Sequence, residues 1–189
     1  MDTTVLLSGG SDSAAAIAFY RRVGHEVTGI FVDYGQPVRQ RERESAQAIA
    51  SHYGFTLAEI SVSSTGIIDY SGEIRGRNAF LLFTALMFSP PRSGILALGI
   101  HSGTPYYDCS ERFANDAQQM VDSYSGGRIA LGLPFLKWTK PMISDFAETE
   151  GVPIHLTWSC EVGPTNECGQ CLSCLDRKGL RERRALNVR

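Results

Sequence analysis

Five short apolar runs alternate with stretches of helical character along this chain, and that alternation restricts its fold more than any other feature. The runs are Thr4–Leu7, Val27–Val32, Thr56–Val62, Ile95–Gly99 and Ile129–Leu131. Helical stretches follow at Ser11–Val23, at a segment ending near Tyr53, at Asn78–Phe88 and at Ser110–Tyr124. A further helix opens at Thr139-Lys140-Pro141, with a capping threonine and an early proline, and runs to Gly151. Strands separated by helices need right-handed crossovers and pair in parallel, so the expected class is α/β with a doubly wound parallel sheet. A length of 189 residues accommodates one compact domain and a small appendage. Ligands of such sheets lie at the carboxyl ends of the strands, which would gather Ser8–Ser13, Asp33–Gln36 and Gly99–Cys109 in one place.

The turn after the first run reads Leu7-Ser8-Gly9-Gly10-Ser11-Asp12-Ser13. Adjacent glycines let backbone N–H groups approach a ligand, three serines add hydroxyl donors, and the helix that follows aims its positive end at the same spot. Phosphate suits such a hole. An ordinary strand-to-helix turn with a Ser or Asp cap has the same composition. Neither a Walker loop nor a dinucleotide Gly-x-Gly-x-x-Gly fingerprint is present. Asp33-Tyr34-Gly35-Gln36 stands where the adenine or ribose edge of a nucleotide would be reached, or is a plain turn.

Four of the five cysteines form a Cys-x7-Cys-x2-Cys-x2-Cys array at Cys160, Cys168, Cys171 and Cys174. Four thiolates close a tetrahedral site, the preference of structural zinc, although an iron-sulfur cluster takes the same ligands. Cys109 stands apart and reads as a small buried hydrophobe. Arg177, Lys178, Arg181, Arg183 and Arg184 either offset the thiolate charge or form a solvated helix face. A net charge of -2 speaks against a nucleic-acid coat or a membrane surface. Without a basic, apolar leader or a long apolar run, the chain is expected to be cytoplasmic.

The first turn resembles the signature of the N-type ATP pyrophosphatases, or PP-loop enzymes, and with the cysteine array it resembles the 7-cyano-7-deazaguanine synthase family of the queuosine pathway. Further stretches agree in order: Asp33-Tyr34-Gly35-Gln36, Gly76-Arg77-Asn78, Tyr107-Asp108-Cys109-Ser110-Glu111-Arg112-Phe113, Pro134-Phe135 to Lys140, and Thr157-Trp158-Ser159-Cys160. The resemblance implies an adenine nucleotide alpha hydrolase-like sheet at 1–155 and a small zinc-binding segment at 156–189. It implies a C–N ligase that adenylates 7-carboxy-7-deazaguanine with ATP and Mg2+. Ammonia then gives the amide, and a second adenylation the nitrile. It implies that Leu7, Ser8, Gly9, Gly10, Ser11, Asp12, Ser13, Asp33, Gly35, Gln36 and Gly99 hold the nucleotide. Asp12 and Lys140 would serve catalysis, Asp12 by placing Mg2+ or the loop and Lys140 by facing phosphate charge. Arg77, Asn78, Asp108 and Phe113 would form the deazaguanine pocket, and a homodimer is the expected assembly. On the residues alone, Lys140 also reads as a helix-start surface residue, Asp108 as a cap of the next helix, Phe113 as core, and Arg77 with Asn78 as a helix entry.

Several places depart from that family's pattern. Pro37-Val38-Arg39-Gln40-Arg41 replaces a segment that usually carries Arg-His, and Glu42 comes one place late. The loop between Gly99 and Asp108 is shorter, lacks a usual acid and reads Ile100-His101-Ser102-Gly103-Thr104; Glu161 stands where tyrosine is expected, and the segment from Phe55 to Arg75 is abbreviated. These changes suggest two alternatives: a defence- or modification-system paralogue that conjugates the activated acid to a protein or nucleic-acid amine, or a nucleotide sensor without turnover.

Overall fold

A computed structural model describes residues 1–63, 73–89, 91–101, 103–163 and 165–187. Most of the irregular stretch after Val62, together with Ser102 and Pro164, lies outside the described residues, as do the side chains of Arg181, Arg183 and Arg184. Five parallel strands form one sheet: β1 Asp2–Leu6, β2 Glu26–Asp33, β3 Leu57–Ser61, β4 Gly94–Ala97 and β5 Ile129–Gly132, in the order β3-β2-β1-β4-β5. The expected doubly wound parallel sheet is therefore present. Strand ends differ slightly from the apolar runs, since β1 starts at Asp2 and β4 stops at Ala97, although the Leu98 N–H still donates to Gly132 O at 2.9 Å.

Helices α1 Ser11–Arg22, α2 Arg39–Tyr53, α3 Arg77–Phe88, α4 Glu111–Ser125 and α5 Lys140–Thr149 connect or follow the strands, and α6 Leu172–Asn187 ends the described chain. Strand side chains alternate between two faces. Val5, Leu7, Phe31 and Ala97 pack with α1, α2 and α5, whereas Leu6, Ile30, Val32 and Leu96 pack with α3 and α4. Ala14, Ala15 and Ala16 are fully buried, and their small side chains let α1 lie close to the sheet. Phe135 is sealed among Phe19, Trp138 and Phe146, with ring centroids 6.0, 5.1 and 5.9 Å away. Thr139 occupies the cap position of α5, but its hydroxyl makes no capping hydrogen bond.

From β1 the chain winds outward through β2 and β3, then returns to the other side of β1 for β4 and β5. The loops after β1 and β4 consequently diverge, which opens a crevice at their carboxyl ends. Phe135→Ala is expected to reduce the unfolding free energy in urea by about 3–5 kcal/mol, because a large buried ring is lost and a cavity remains. A reduction below about 1 kcal/mol would contradict its place in the core.

Candidate functional site

Gly10, not a serine or aspartate, is the N-cap of α1, and among the described residues no side chain caps this helix. Its first turn, Ser11 to Ser13, therefore presents N–H groups toward the crevice, where an anion would meet both hydrogen-bond donors and the positive end of the helix. Ser13 Oγ donates to Gly10 O at 3.0 Å and lies 3.2 Å from Ser8 Oγ, so the two hydroxyls are already gathered beside that turn. Gly9 has φ +81°, and a Cβ there would run into the Glu42 carbonyl oxygen and lie 3.0 Å from Ser45 Cβ. Only glycine fits between this loop and α2.

Lys140, at the start of α5, reaches across to Asp12: Nζ donates to Oδ1 at 2.7 Å and to Oδ2 at 2.5 Å. This pair joins residues far apart in sequence and shields the carboxylate that would otherwise repel an anion at the helix start. Gly99, just beyond β4, packs on the same turn, where a Cβ would come within 2.8–3.0 Å of backbone atoms of Asp12 and Ser13. His101 follows; its Nε2 lies 3.8 Å from Asp12 Oδ2, and its Nδ1 accepts the Gly103 N–H at 2.9 Å. Burial holds the imidazole below its ordinary range, against the pull of Asp12.

The second loop is arranged differently from the first. Gln36 is buried and turned inward, donating to Glu42 Oε2 at 2.8 Å and Val32 O at 3.2 Å while accepting the Tyr34 N–H at 2.9 Å. Asp33 accepts Arg43 Nη2 at 2.6 Å and the Gly35 N–H at 3.0 Å. Gly35 itself is exposed with φ +86°. Thus Asp33 and Gln36 shape this loop through their side chains. Burial pushes the Glu42 carboxyl above 4.5, with the Gln36 hydrogen bond and then Arg77 pulling it down.

Asp108 is buried, and it caps α3 in trans: Oδ2 accepts the Asn78 N–H at 3.1 Å, while Asn78 Nδ2 donates to Asp108 O at 3.0 Å. The next helix, α4, is capped instead by Ser110, whose Oγ accepts the Phe113 N–H at 3.1 Å. The reading of Asp108 as the cap of α4 therefore fails, because Ser110 holds that position and the Asp108 carboxylate is turned to α3. Arg77 is exposed at the head of α3, and Phe113 is 3 % exposed within the α3/α4 side of the core. Cys109 is half-buried rather than buried, with its thiol 3.8 Å from Asn78 Nδ2.

Cys160, Cys168, Cys171 and Cys174 place their four sulfurs within 4.8 Å of one another. Tetrahedral ligation at about 2.3 Å needs sulfurs roughly 3.8 Å apart, and Cys168 Sγ is 4.0 Å from Cys174 Sγ, so the set fits a metal ion. Backbone N–H groups of Gly163 and Cys168 donate to Cys160 Sγ at 3.1 and 3.3 Å. Gln170 and Cys171 N–H groups hold the Cys168 thiol down at about 6, whereas burial pushes Cys174 up to about 12. A cation at the centre would favour all four thiolates.

This cluster is tied to the phosphate-type loop. The Trp158 N–H donates to Gly9 O at 2.9 Å, and its indole Nε1–H donates to Cys160 O at 3.0 Å. Arg41 lies 5.3 Å from the centroid of the Trp158 ring and donates to Thr165 O at 3.0 Å. Arg177 on α6 donates to Glu167, Thr157 Oγ1 and Ser159 Oγ at 2.7, 2.9 and 2.9 Å, so it is a clamp and not part of a solvated face. Neither Arg41 nor the Trp158 main chain bears a sequence signal for these roles. The Thr157-Trp158-Ser159-Cys160 stretch marks the place, but the contacts arise only on folding.

The family model "Queuosine biosynthesis protein QueC" matches residues 2–74 and 72–183. A 7-cyano-7-deazaguanine synthase of Parasynechococcus marenigrum is 34 % identical, with 91 % of this chain and 88 % of that protein aligned. One from Methanoculleus marisnigri is 31 % identical over 92 % and 90 % of the two chains. Among solved structures, the U34-tRNA thiolase NcsA of Methanococcus maripaludis with its 4Fe-4S cluster has a TM-score of 0.52 at 15 % identity, covering 97 % of this chain and 65 % of that one; this likeness concerns the fold.

An acid whose folded pKa lies above its unfolded value stabilises the fold while protonated, and loses that contribution as pH rises from the unfolded toward the folded value. Glu42→Gln has no proton to lose. Its unfolding free energy relative to wild type should therefore rise progressively above pH 4.5 in denaturant titrations. A difference independent of pH would contradict the desolvated carboxyl.

Proposed function

The chain belongs to the queuosine biosynthesis protein QueC family, and from that premise we propose that it is an ATP-dependent 7-cyano-7-deazaguanine synthase. The single observation that carries this reading is the uncapped start of α1 beside Ser8, Ser13 and Lys140, at the crevice between β1 and β4. That arrangement is made for polyphosphate, and the relatives supply the acid.

In the proposed reaction a carboxylate oxygen of 7-carboxy-7-deazaguanine attacks the α-phosphorus of ATP, and pyrophosphate leaves. Ammonia attacks the acyl carbon, AMP departs with both electrons of the C–O bond, and a proton is lost to give the amide. The amide oxygen then attacks a second ATP, again releasing pyrophosphate. Loss of both amide protons and departure of AMP with the electrons of the C–O bond leave the nitrile. The N–H groups of Ser11, Asp12 and Ser13, with the Ser8 and Ser13 hydroxyls, receive the growing charge on the leaving pyrophosphate, and each such preorganised donor is worth a few kcal/mol. Lys140 faces that charge, and Asp12 holds Lys140 in place; Mg2+ arrives with ATP. Backbone at Leu7, Gly9 and Gly10 and the close packing of Gly99 shape the cradle, while Asp33, Gly35 and Gln36 form the adenosine edge. Arg77 meets the deazaguanine acid over a floor set by Asn78, Asp108 and Phe113.

Residues 1–155 carry this chemistry, and 156–189 hold a structural zinc through the four cysteines, with no ligand position left for water. In this reading zinc fixes the geometry of Trp158 and thereby of Gly9. A homodimer would cover the exposed Met87, Phe88 and Tyr124, and the reducing cytoplasm would keep the thiols available.

Purified protein given ATP, 7-carboxy-7-deazaguanine and ammonium should yield the nitrile by mass spectrometry. AMP formation without amide or nitrile would overturn the assignment of ammonia as acceptor and favour a macromolecular amine. Elemental analysis should find about one zinc per chain. Stripping it should weaken ATP binding by roughly five- to tenfold, the worth of a lost tether; unchanged affinity would contradict the coupling.

A further inference from the structure

His101 occupies a loop that departs from the family's usual pattern, and nothing in the reaction as described uses it. Its surroundings are defined. Nδ1 accepts a hydrogen bond from the Gly103 N–H, so the neutral ring carries its proton on Nε2. Gly103 packs closely on the ring, since a Cβ there would fall 2.7 Å from ring atoms of His101. Among the described residues Nε2 makes no hydrogen bond; it faces Asp12 Oδ2 across 3.8 Å, beyond hydrogen-bond reach, and the His101 side chain is 14 % exposed. The groups that set its charge are Asp12 on α1, Lys140 on α5 and Asp176 on α6. Asp12 is already engaged at both oxygens by Lys140, which leaves the imidazole donor without a strong local acceptor. Gly99 seats the start of this loop against the backbone of Asp12 and Ser13, and the donor lies beside the Asp12 side chain in the first turn of α1.

We propose that His101 is a substrate-contacting residue whose Nε2–H donates a hydrogen bond to the β- or γ-phosphate of ATP and stays with the pyrophosphate as it leaves. The proposal rests on the reading of this crevice as an ATP site. The ring acts as a neutral donor and no proton is transferred. Its part complements Lys140: the lysine of α5 brings charge, and the imidazole brings a directed donor from the loop after β4. The contact lies on the pyrophosphate side and leaves AMP untouched.

The test is calorimetric, using three probes: AMP, inorganic pyrophosphate with magnesium, and an ATP analogue with a methylene bridge between the α- and β-phosphates. His101→Ala should weaken pyrophosphate and the analogue by about ten- to a hundredfold, the worth of a hydrogen bond to a charged acceptor, and leave AMP within twofold. His101→Gln, whose side-chain amide offers a donor near the Nε2 position, should recover most of the lost affinity. In spectra of histidine labelled with nitrogen-15, the His101 Nε2–H signal should move on addition of pyrophosphate and not of AMP. Equal binding of pyrophosphate by wild type and His101→Ala would overturn the role of His101 while leaving the ATP site intact. A parallel loss of AMP and pyrophosphate, unrelieved by Gln, would also overturn it, by showing a general effect on the loop. Failure of wild type to bind any of the probes would overturn the ATP site itself, and the proposal with it.

Discussion

A main-chain hydrogen bond from Trp158 N–H to Gly9 O joins the turn before α1 to the segment that leads into the four cysteines. Gly9 has no room to move on its other side, where the Glu42 carbonyl leaves no space for a Cβ. The loop is thus pinned between α2 and a segment whose far end is Cys160. Whatever holds the four cysteines together fixes Trp158, and Trp158 fixes the loop. Arg41 and Arg177 secure the same segment from α2 and α6, by cation–π contact and by a three-way clamp. In the proposed reading, a metal held by the four cysteines is a mechanical brace whose effect on chemistry passes through backbone geometry.

With the loop held, the sheet topology supplies the rest. Strand order reverses next to β1, so the loops after β1 and β4 part and leave α1 exposed at its N-terminus. Among the described residues no side chain caps that end, so its N–H donors are available to a ligand. Lys140 comes from α5 and His101 from the loop after β4, and both converge on Asp12. In the proposed reaction, donors from three separate elements around one helix start would serve charge that develops during bond cleavage.

The fold was largely legible because buried parallel strands are nearly continuous apolar runs, and each recurs after a helical stretch. The phosphate-type loop and the cysteine array were legible because their residues are close in sequence. Asp108 was not, since the Asn78 N–H it accepts lies 30 residues upstream of it. Gln36 sits in a recognisable stretch, yet its amide turns inward to Glu42, a choice decided by burial and not by local sequence. Arg177 reads as one more basic residue on a polar helix until Thr157 and Ser159 are folded against it.

The central claim is that the loop at the head of α1 holds ATP so that the bond between its α- and β-phosphates breaks. Phosphorus-31 spectroscopy of the products formed during turnover with the deazaguanine acid tests this most directly. The account predicts AMP and pyrophosphate in equal amounts. ADP with orthophosphate would contradict it.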